Sequence, residues 1–223
     1  MPPQTPMENG KMVSQPGIRL GEPVPGFTAR STQGIVSLSE FRGRWLVLFS
    51  HPADFTPVCT SEFLAIARAA DRFAALDCAL LGVSVDSVFS HLAWLRMIRD
   101  RFGVRVEFPL IEDPTLEIAR AYGMIAPESS DAAGARATCF IDPAGVLRAA
   151  TLYPANVGRS VEEMLRMVAA LKAAEESGGM TPADWAPGEP LVRPPADLLD
   201  AALGTEDPVE WFYAELLNQA ERR

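Results

Sequence analysis

The residues with the clearest chemical potential surround Cys59, in the string HPADFTPVCT at positions 51–60. The apolar run 45–49 just upstream predicts a strand buried on both faces of a sheet. Thr56 and Pro57 are typical of a helix start, with Thr as N-cap and Pro at the first helical position. Cys59 therefore falls in the first turn, where free N–H groups and the helix dipole favour a thiolate. The sequence predicts a nucleophilic cysteine, and a structural cysteine buried in a helix is the alternative.

The spacing of Pro52, Thr56, Cys59 and Glu62 resembles the active-site signature of the peroxiredoxins, and the ten-residue string resembles the one-cysteine, peroxiredoxin-six type. The resemblance extends over about residues 18–190. It implies a thiol-dependent peroxidase of antioxidant defence and redox homeostasis, which reduces hydrogen peroxide and alkyl hydroperoxides through a sulfenic acid of Cys59. It also implies a thioredoxin-like α/β fold with three layers and a central mixed sheet, and a C-terminal arm that helps to build a homodimer or a larger ring.

Peroxide reduction needs a thiolate, groups that orient two oxygens, and a cation beside the leaving oxygen. Thr56 lies three positions before Cys59, so its hydroxyl can bond the sulfur or the peroxide. Pro52 is rigid and lacks an N–H, so it can shield the thiolate. Arg136 matches the distant arginine of the peroxiredoxin site, and Arg136 and Thr56 are expected to bind the substrate. A solvated arginine at a strand edge is the alternative for Arg136.

Two further charged residues match a second pair in the family. We expect Glu62 and Arg159 to form an ion pair that orients Arg136, although either could be a surface charge.

Two histidines complete the candidates. His51 before Pro52 is typical of the one-cysteine group, and it either tunes Cys59 or is satisfied by backbone groups near a strand end. His91 is expected to be structural.

Regeneration of the thiol needs a second sulfur. Cys139 lies three positions after Arg136, so strand alternation sends the two side chains to opposite faces. Cys78 opens a buried strand and is expected to be a core residue. No C-x-x-C occurs, and three cysteines with two histidines show no zinc-ligand spacing. We therefore expect an external small or protein thiol as reductant, no cofactor and no metal.

The chain of 223 residues can hold one sizeable core and a small appendage. Residues 1–17 are polar and proline-rich and are expected to be a disordered extension. In residues 18–175 predicted strands alternate with helices and include a hairpin around 142–145, which indicates a three-layer α/β domain. This pattern fits several folds, and the resemblance implies the thioredoxin-like one. Residues 176–223, with their proline-rich start, are expected to form the C-terminal arm.

Five helices are predicted, four of them from apolar spacing. The Cys59 helix is expected to reach about Leu76, and Pro114 is expected to open a short helix to about Tyr122. The remaining predictions are a helix with Val88, Leu92, Leu95 and Ile98 on one face, a helix near 161–171 with Glu162 and Arg166 as an i,i+4 pair, and a terminal helix from Asp207 with Val209, Phe212 and Leu216 on one side.

The formal charge of −9 argues against nucleic acid or an anionic membrane as partner, because both bind basic surfaces. No apolar run reaches about 18 residues, the length that spans a bilayer. The first 17 residues lack the apolar segment of a secretory signal. We expect a cytoplasmic protein.

Two other functions use the same residues. A Cys-His hydrolase would pair Cys59 with His51 or His91, and replacement of its histidine would abolish turnover. A peroxide sensor or oxidation-triggered chaperone would stop after one equivalent of peroxide, whereas a peroxidase continues when a thiol is added.

Overall fold

The computed structural model describes residues 17–125, 136–205, 207 and 209–216. The expected extension at 1–17 therefore lies outside the described residues except for Gly17. The elements in chain order are β1 (Thr28–Ser31), β2 (Gly34–Ser37), β3 (Trp45–Ser50), α1 (Pro57–Arg68), α2 (Ala70–Ala75), β4 (Cys78–Ser84), α3 (Val88–Phe102), β5 (Leu110–Glu112), α4 (Glu117–Ala121), β6 (Arg136–Ile141), β7 (Leu147–Tyr153), α5 (Val161–Ser177), β8 (Leu191–Val192), α6 (Leu199–Leu203) and β9 (Glu215–Leu216).

The described residues form two compact units, one from 17–70 and 79–159 and one from 71–78 and 160–216. The first unit is built on a seven-stranded sheet with the order β2-β1-β5-β4-β3-β6-β7. Strands β4 and β5 are parallel, whereas β1 with β2, β3 with β6, and β6 with β7 are antiparallel. The sheet is therefore mixed, as the resemblance implies.

Helices cover both faces of this sheet. Leu48, Leu81 and Cys139 pack on one face with Ile118 and Tyr122 from the α4 region. On the other face, aromatic rings from the sheet and the helices pack together. Phe49 of β3 lies 5.7 Å from Phe63 of α1, and Phe63 lies 4.6 Å from Trp94 of α3, measured between ring centroids. All six residues of β3 are buried, which confirms the strand predicted from its continuous apolar run.

Three helix predictions need correction. The helix after Cys59 ends at Arg68, and α2 follows only after a break at Ala69. Helix α4 begins at Glu117 rather than at Pro114, because Leu116 has a positive φ of 60° and stands at its N-cap. Leu92 of α3 is exposed, whereas His91 is buried in its place. Apolar spacing identified the helix but not the side that it buries.

The second unit also differs from the expected pattern. Arg166 bonds to Glu163 of the preceding turn instead of Glu162, and Glu162 accepts a hydrogen bond from Arg72 at 2.8 Å. The terminal helix is wrong within the described part of the segment: residues 209–213 form turns, and Leu216 lies in β9, paired with Leu191 of β8. Leu216 pairs with a residue 25 positions earlier in the chain, and the local spacing of apolar residues does not reveal such a partner.

Across the residues that the structure describes, no helix is both long enough and apolar enough to cross a bilayer.

Candidate active site

The chain between β3 and α1 brings Cys59 to the start of a helix. As predicted, Thr56 has extended backbone angles at the N-cap and Pro57 is the first helical residue, so Cys59 is the third. The N–H groups of the first turn have no partner within the helix, and their dipoles favour an anion at this end. Cys59 has no exposed surface. The side chain of Thr56, however, makes no capping hydrogen bond.

Arg136 lies beside this sulfur. Its Nη1 atom is 3.3 Å from Sγ of Cys59, while Nε and Nη2 donate to the carbonyl oxygen of Ala155 at 3.0 and 2.6 Å. The residue is 2% exposed, which excludes a solvated arginine. Strand register explains the meeting, because Thr138 pairs with Phe49 near the end of β3. Arg136 lies two positions before Thr138, at the start of β6, and because the strands are antiparallel it lies near the end of β3, where the Cys59 loop begins.

Glu62 lies between two guanidinium groups. Its Oε2 atom accepts from Nη1 of Arg136 at 2.7 Å and from Nη2 of Arg159 at 2.8 Å. Its Oε1 atom accepts from the backbone N–H and the Nε of Arg159 at 2.8 and 2.9 Å. The expected contact between Glu62 and Arg159 is therefore present, and Glu62 also touches Arg136 directly. Two cations and one carboxylate leave one excess positive charge next to Cys59, which a thiolate would balance.

The pKa of Glu62 shows the strength of these contacts. Burial by itself would raise the pKa, but the hydrogen bonds and charge of Arg159, with a further contribution from Arg136, lower it below the usual value. Glu62 is therefore held ionised. Arg159 is in turn held by the carbonyl of Ala137 at 2.9 Å and the hydroxyl of Thr138 at 3.2 Å.

Thr56 and Pro52 lie in the same loop. The hydroxyl of Thr56 donates to the carbonyl oxygen of Ala53 at 2.9 Å, so its proton is directed away from the sulfur while its oxygen can still accept. Pro52 is buried. Phe55 between them has a φ of +56°, a strained value for a residue with a side chain.

The other two cysteines lie in different surroundings. Cys139 packs in the core on the sheet face opposite Arg136, and burial raises the pKa of its thiol to about 12. Cys78 is the first residue of β4 and is 6% exposed. No disulfide joins the three cysteines. Because the pKa of the Cys139 thiol is so high, this thiol is almost wholly protonated at neutral pH and is a poor nucleophile.

Sequence reasoning missed Asp54, which joins the two histidines. Its Oδ1 atom lies 2.9 Å from Nε2 of His51, and its Oδ2 atom lies 2.8 Å from Nδ1 of His91. Each of the three side chains has a potential metal-ligand atom within 4.8 Å of those of the other two. Both histidines, however, form hydrogen bonds to the carboxylate of Asp54. The sequence showed only that an aspartate lies inside the Cys59 string. It did not indicate the contact with His91, because 37 positions separate the two residues.

Comparison with protein families gives two matches. A model of the AhpC/TSA family matches residues 20–150, and a model of the C-terminal domain of 1-Cys peroxiredoxin matches residues 170–203. A peroxiredoxin of Aquifex aeolicus is 45% identical over 221 residues, covering 92% of this chain and 98% of its own. A peroxiredoxin of Methanosarcina mazei is 39% identical over 207 residues, covering 86% and 94%.

Two solved structures share the fold. A cysteine-to-serine mutant of peroxiredoxin 6 of Arenicola marina superimposes with a TM-score of 0.76 at 35% identity, covering 83% of this chain and 88% of its own. A yeast mitochondrial 1-Cys peroxiredoxin, described with a thiol resolving mechanism via glutathione and thioredoxin systems, has a TM-score of 0.79 at 32% identity and covers 89% and 100%. The thioredoxin-like α/β fold expected from the sequence is confirmed.

Proposed function

The chain belongs to the AhpC/TSA family as a peroxiredoxin of the one-cysteine type and is a thiol-dependent peroxidase, and from this premise we propose that Cys59 is the sulfur that peroxide oxidises. The observation that carries the proposal is the 3.3 Å contact between Nη1 of Arg136 and Sγ of Cys59. A helix start and a buried guanidinium both lower the free energy of a thiolate at this position.

This geometry supports the following reaction. The Cys59 thiolate attacks one oxygen of the hydroperoxide, a sulfur–oxygen bond forms and the oxygen–oxygen bond breaks. The leaving oxygen departs as hydroxide or alkoxide, and with one proton it becomes water or an alcohol. Cys59 is left as a sulfenic acid. Arg136 stabilises the negative charge that develops on the leaving oxygen, and Thr56, whose oxygen can accept a hydrogen bond, orients the peroxide.

The supporting residues act through Arg136 and the loop. Glu62 and Arg159 hold the Arg136 guanidinium in place by the hydrogen bonds described above. Pro52 is a rigid, buried residue of the loop and shields the thiolate from water.

The substrates are hydrogen peroxide and small alkyl hydroperoxides. Because Cys59 has no exposed surface, an oxidant reaches the sulfur only when neighbouring side chains move apart. Small oxidants need the smallest opening.

The reductant is an external thiol. Cys139 points to the opposite sheet face and is protonated, and Cys78 is buried at the start of β4. A small or protein thiol attacks the sulfenic acid and releases water to form a mixed disulfide, and a second thiol then frees Cys59. The residues themselves supply the nucleophile and the cation, so the reaction needs no cofactor or metal.

The C-terminal segment supports assembly. We assign 18–175 to the catalytic domain and 176–223 to an arm that builds a homodimer, from which a larger ring can form, in the cytoplasm. The described part of the arm exposes a set of large apolar side chains, which association would cover: Leu198, Leu199, Leu203, Trp211, Phe212 and Tyr213.

The two alternatives predict different behaviour. A Cys-His hydrolase needs a histidine on Cys59, but in the described residues both histidines bond to Asp54 and Cys59 bonds to Arg136. A sensor or oxidation-triggered chaperone would consume one equivalent of peroxide and stop. Continued consumption of peroxide in the presence of an added thiol distinguishes the peroxidase from the hydrolase and from the sensor.

Mass spectrometry tests which sulfur reacts. After one equivalent of hydrogen peroxide, the peptide containing Cys59 should gain one oxygen, trapped as a sulfenic acid adduct, and no intramolecular disulfide should form. Oxygen on Cys78 or Cys139, or a disulfide from Cys59 to either of them, would overturn the proposal.

A further inference from the structure

A buried cluster of His51, Asp54 and His91 lies outside the contacts of Cys59. The exposed fraction of each side chain is 0–1%. Besides the two hydrogen bonds to Asp54, Nε2 of His91 lies 3.2 Å from the carbonyl oxygen of Ile111. Both ring nitrogens of His91 therefore have partners, whereas Nδ1 of His51 has none in the described part of the chain.

The proton positions can be inferred from these hydrogen bonds and from the chemistry of the partner atoms. The carbonyl oxygen of Ile111 can only accept, so Nε2 of His91 carries a proton. Burial would raise the pKa of Asp54, but the hydrogen bonds from His51 and His91 outweigh it and lower the pKa to about 2. An ionised carboxylate cannot donate, so Nδ1 of His91 carries a proton as well. With protons on both nitrogens, His91 is an imidazolium paired with Asp54.

His51 is neutral by the same reasoning. Its Nε2 donates to Asp54, and burial foremost lowers the pKa of the ring. A second proton on Nδ1 would create a buried cation without an acceptor, with its ring centroid 6.0 Å from that of His91. His51 is therefore the tautomer with its proton on Nε2, and the cluster contains one carboxylate, one imidazolium and one neutral ring.

Two other carboxylates face the cluster. Asp86 accepts the backbone N–H of Asp54 at 2.8 Å, and its charge acts on His51. Glu112 interacts electrostatically with His91 and is itself paired with Arg30. A positive His91 therefore faces carboxylates from the Cys59 loop and from β5, and Asp86, just before α3, adds negative charge near His51.

The cluster fastens the loop that leads to Cys59. Asp54 lies in the middle of residues 51–56, His91 lies on α3, and Ile111 lies on β5. The strained backbone of Phe55 comes directly after Asp54. Such a conformation is strained and persists only where surrounding contacts hold it.

We propose that Asp54 and His91 are positioning residues for peroxide reduction: their buried ion pair fastens the loop carrying Pro52 and Thr56 to α3 and β5, and holds His51 neutral. None of the described hydrogen bonds joins either residue to Cys59, so they act through the loop. The proposal rests on Cys59 as the reacting sulfur.

Nitrogen NMR of the histidine rings tests the charges directly. The chain contains two histidines, so the spectrum of the full-length protein contains four ring nitrogens. At neutral pH we expect three nitrogens with shifts of the protonated type and one of the unprotonated type. Two unprotonated nitrogens would make both rings neutral and overturn the ion pair.

Asp54→Asn provides a second reading. The amide oxygen can accept from Nε2 of His51 while the amide nitrogen donates to Nδ1 of His91, so both contacts persist without charge. His91 should then lose a proton, and the spectrum should show two unprotonated nitrogens. An unchanged spectrum would contradict the pairing.

Kinetics test the positioning role. Asp54→Ala removes both contacts and should lower the second-order rate constant for hydrogen peroxide about tenfold or more. Asp54→Asn should recover most of that loss, and Asp100→Ala on the exposed side of α3 is the matched control. A wild-type rate for Asp54→Ala, or equal losses in both variants, would overturn the role. If Asp54→Ala does not fold, Asp54→Ser, which is too short to reach both histidines, takes its place.

The NMR pattern is read without peroxide. A failure of the Cys59 proposal would therefore appear as missing oxidation of Cys59 with an unchanged histidine spectrum.

Discussion

Arg136 and Cys59 are 77 positions apart in the chain, yet Nη1 of the arginine lies 3.3 Å from the sulfur. The same Nη1 atom donates to Glu62 at 2.7 Å, so the guanidinium is oriented by a carboxylate on the Cys59 helix itself. The proposed nucleophile and the residue that orients its cation thus come from one helix, one turn apart. We expect peroxide reduction to depend on this relationship.

Arg136→Lys should lower the second-order rate constant for peroxide reduction about 100-fold. A lysine ammonium is a point charge on a flexible stem, and it cannot bond Ala155, Glu62 and the sulfur together. Stopped-flow measurement of peroxide consumption gives the constant. Arg148→Lys, a change at a half-exposed arginine of β7, is the control and should keep the wild-type rate. Equal rates for the two variants would show that Arg136 does not act on the reaction.

Glu62→Gln should destabilise the protein by about 3–5 kcal/mol, because it leaves two buried guanidinium groups without their shared carboxylate. Urea unfolding measures the difference. Glu107→Gln, at an exposed pair with Arg105, should change the free energy of unfolding by less than about 1 kcal/mol. A loss for Glu62→Gln as small as that of the control would show that the pair contributes little.

Acid should weaken the fold through Glu62 and Asp54. Both have a lower pKa in the folded state than their ordinary values of 4.5 and 3.8, so the unfolded state binds protons first as pH falls. The stability they contribute is complete above about 4.5 and is lost as pH falls towards about 2, the folded pKa of Asp54. Across this range the free energy of unfolding should depend less steeply on pH for Asp54→Asn than for wild type. A wild-type stability that rises on acidification would contradict the assignment.

Cys59→Ser should abolish peroxide consumption, while Cys78→Ser and Cys139→Ser should retain it. Cys139 is protonated and lies on the other face of the sheet, so it cannot resolve the sulfenic acid. A coupled assay with an added thiol measures turnover, and circular dichroism checks the fold. Loss of turnover in folded Cys139→Ser would argue for a two-cysteine mechanism.

Leu199→Glu with Leu203→Glu should shift the proposed dimer towards monomer. Both side chains are more than 70% exposed in the described arm, and charges there oppose burial at an interface. Sedimentation velocity measures the species present. Leu20→Glu, at an exposed leucine outside the arm, should leave the distribution unchanged. An unaltered dimer in the double variant would place the interface elsewhere.

Much of the site could be predicted locally. A continuous apolar run, an N-cap threonine and a following proline place a strand end and a helix start within a dozen positions, because each depends only on neighbouring residues. Cys59 and Thr56 are predicted in this way, whereas Pro52 is identified by its place in the family signature. The resemblance then pointed to Arg136, Glu62 and Arg159, whose contacts no local pattern contains.

Tertiary structure decided what lies between distant segments. Antiparallel pairing of β3 with β6 brings Arg136 to the end of the strand that precedes the Cys59 loop. Residue spacing predicted the wrong partner for Glu162 and a helix at Leu216. Non-local contacts instead pair Glu162 with Arg72 and place Leu216 in a strand. Asp54 shows the same limit most clearly. Its residue type and position were visible in the string, but its charge state depends on hydrogen bonds from His51 and His91. His91 is 37 positions away in the chain, and only folding brings it beside Asp54.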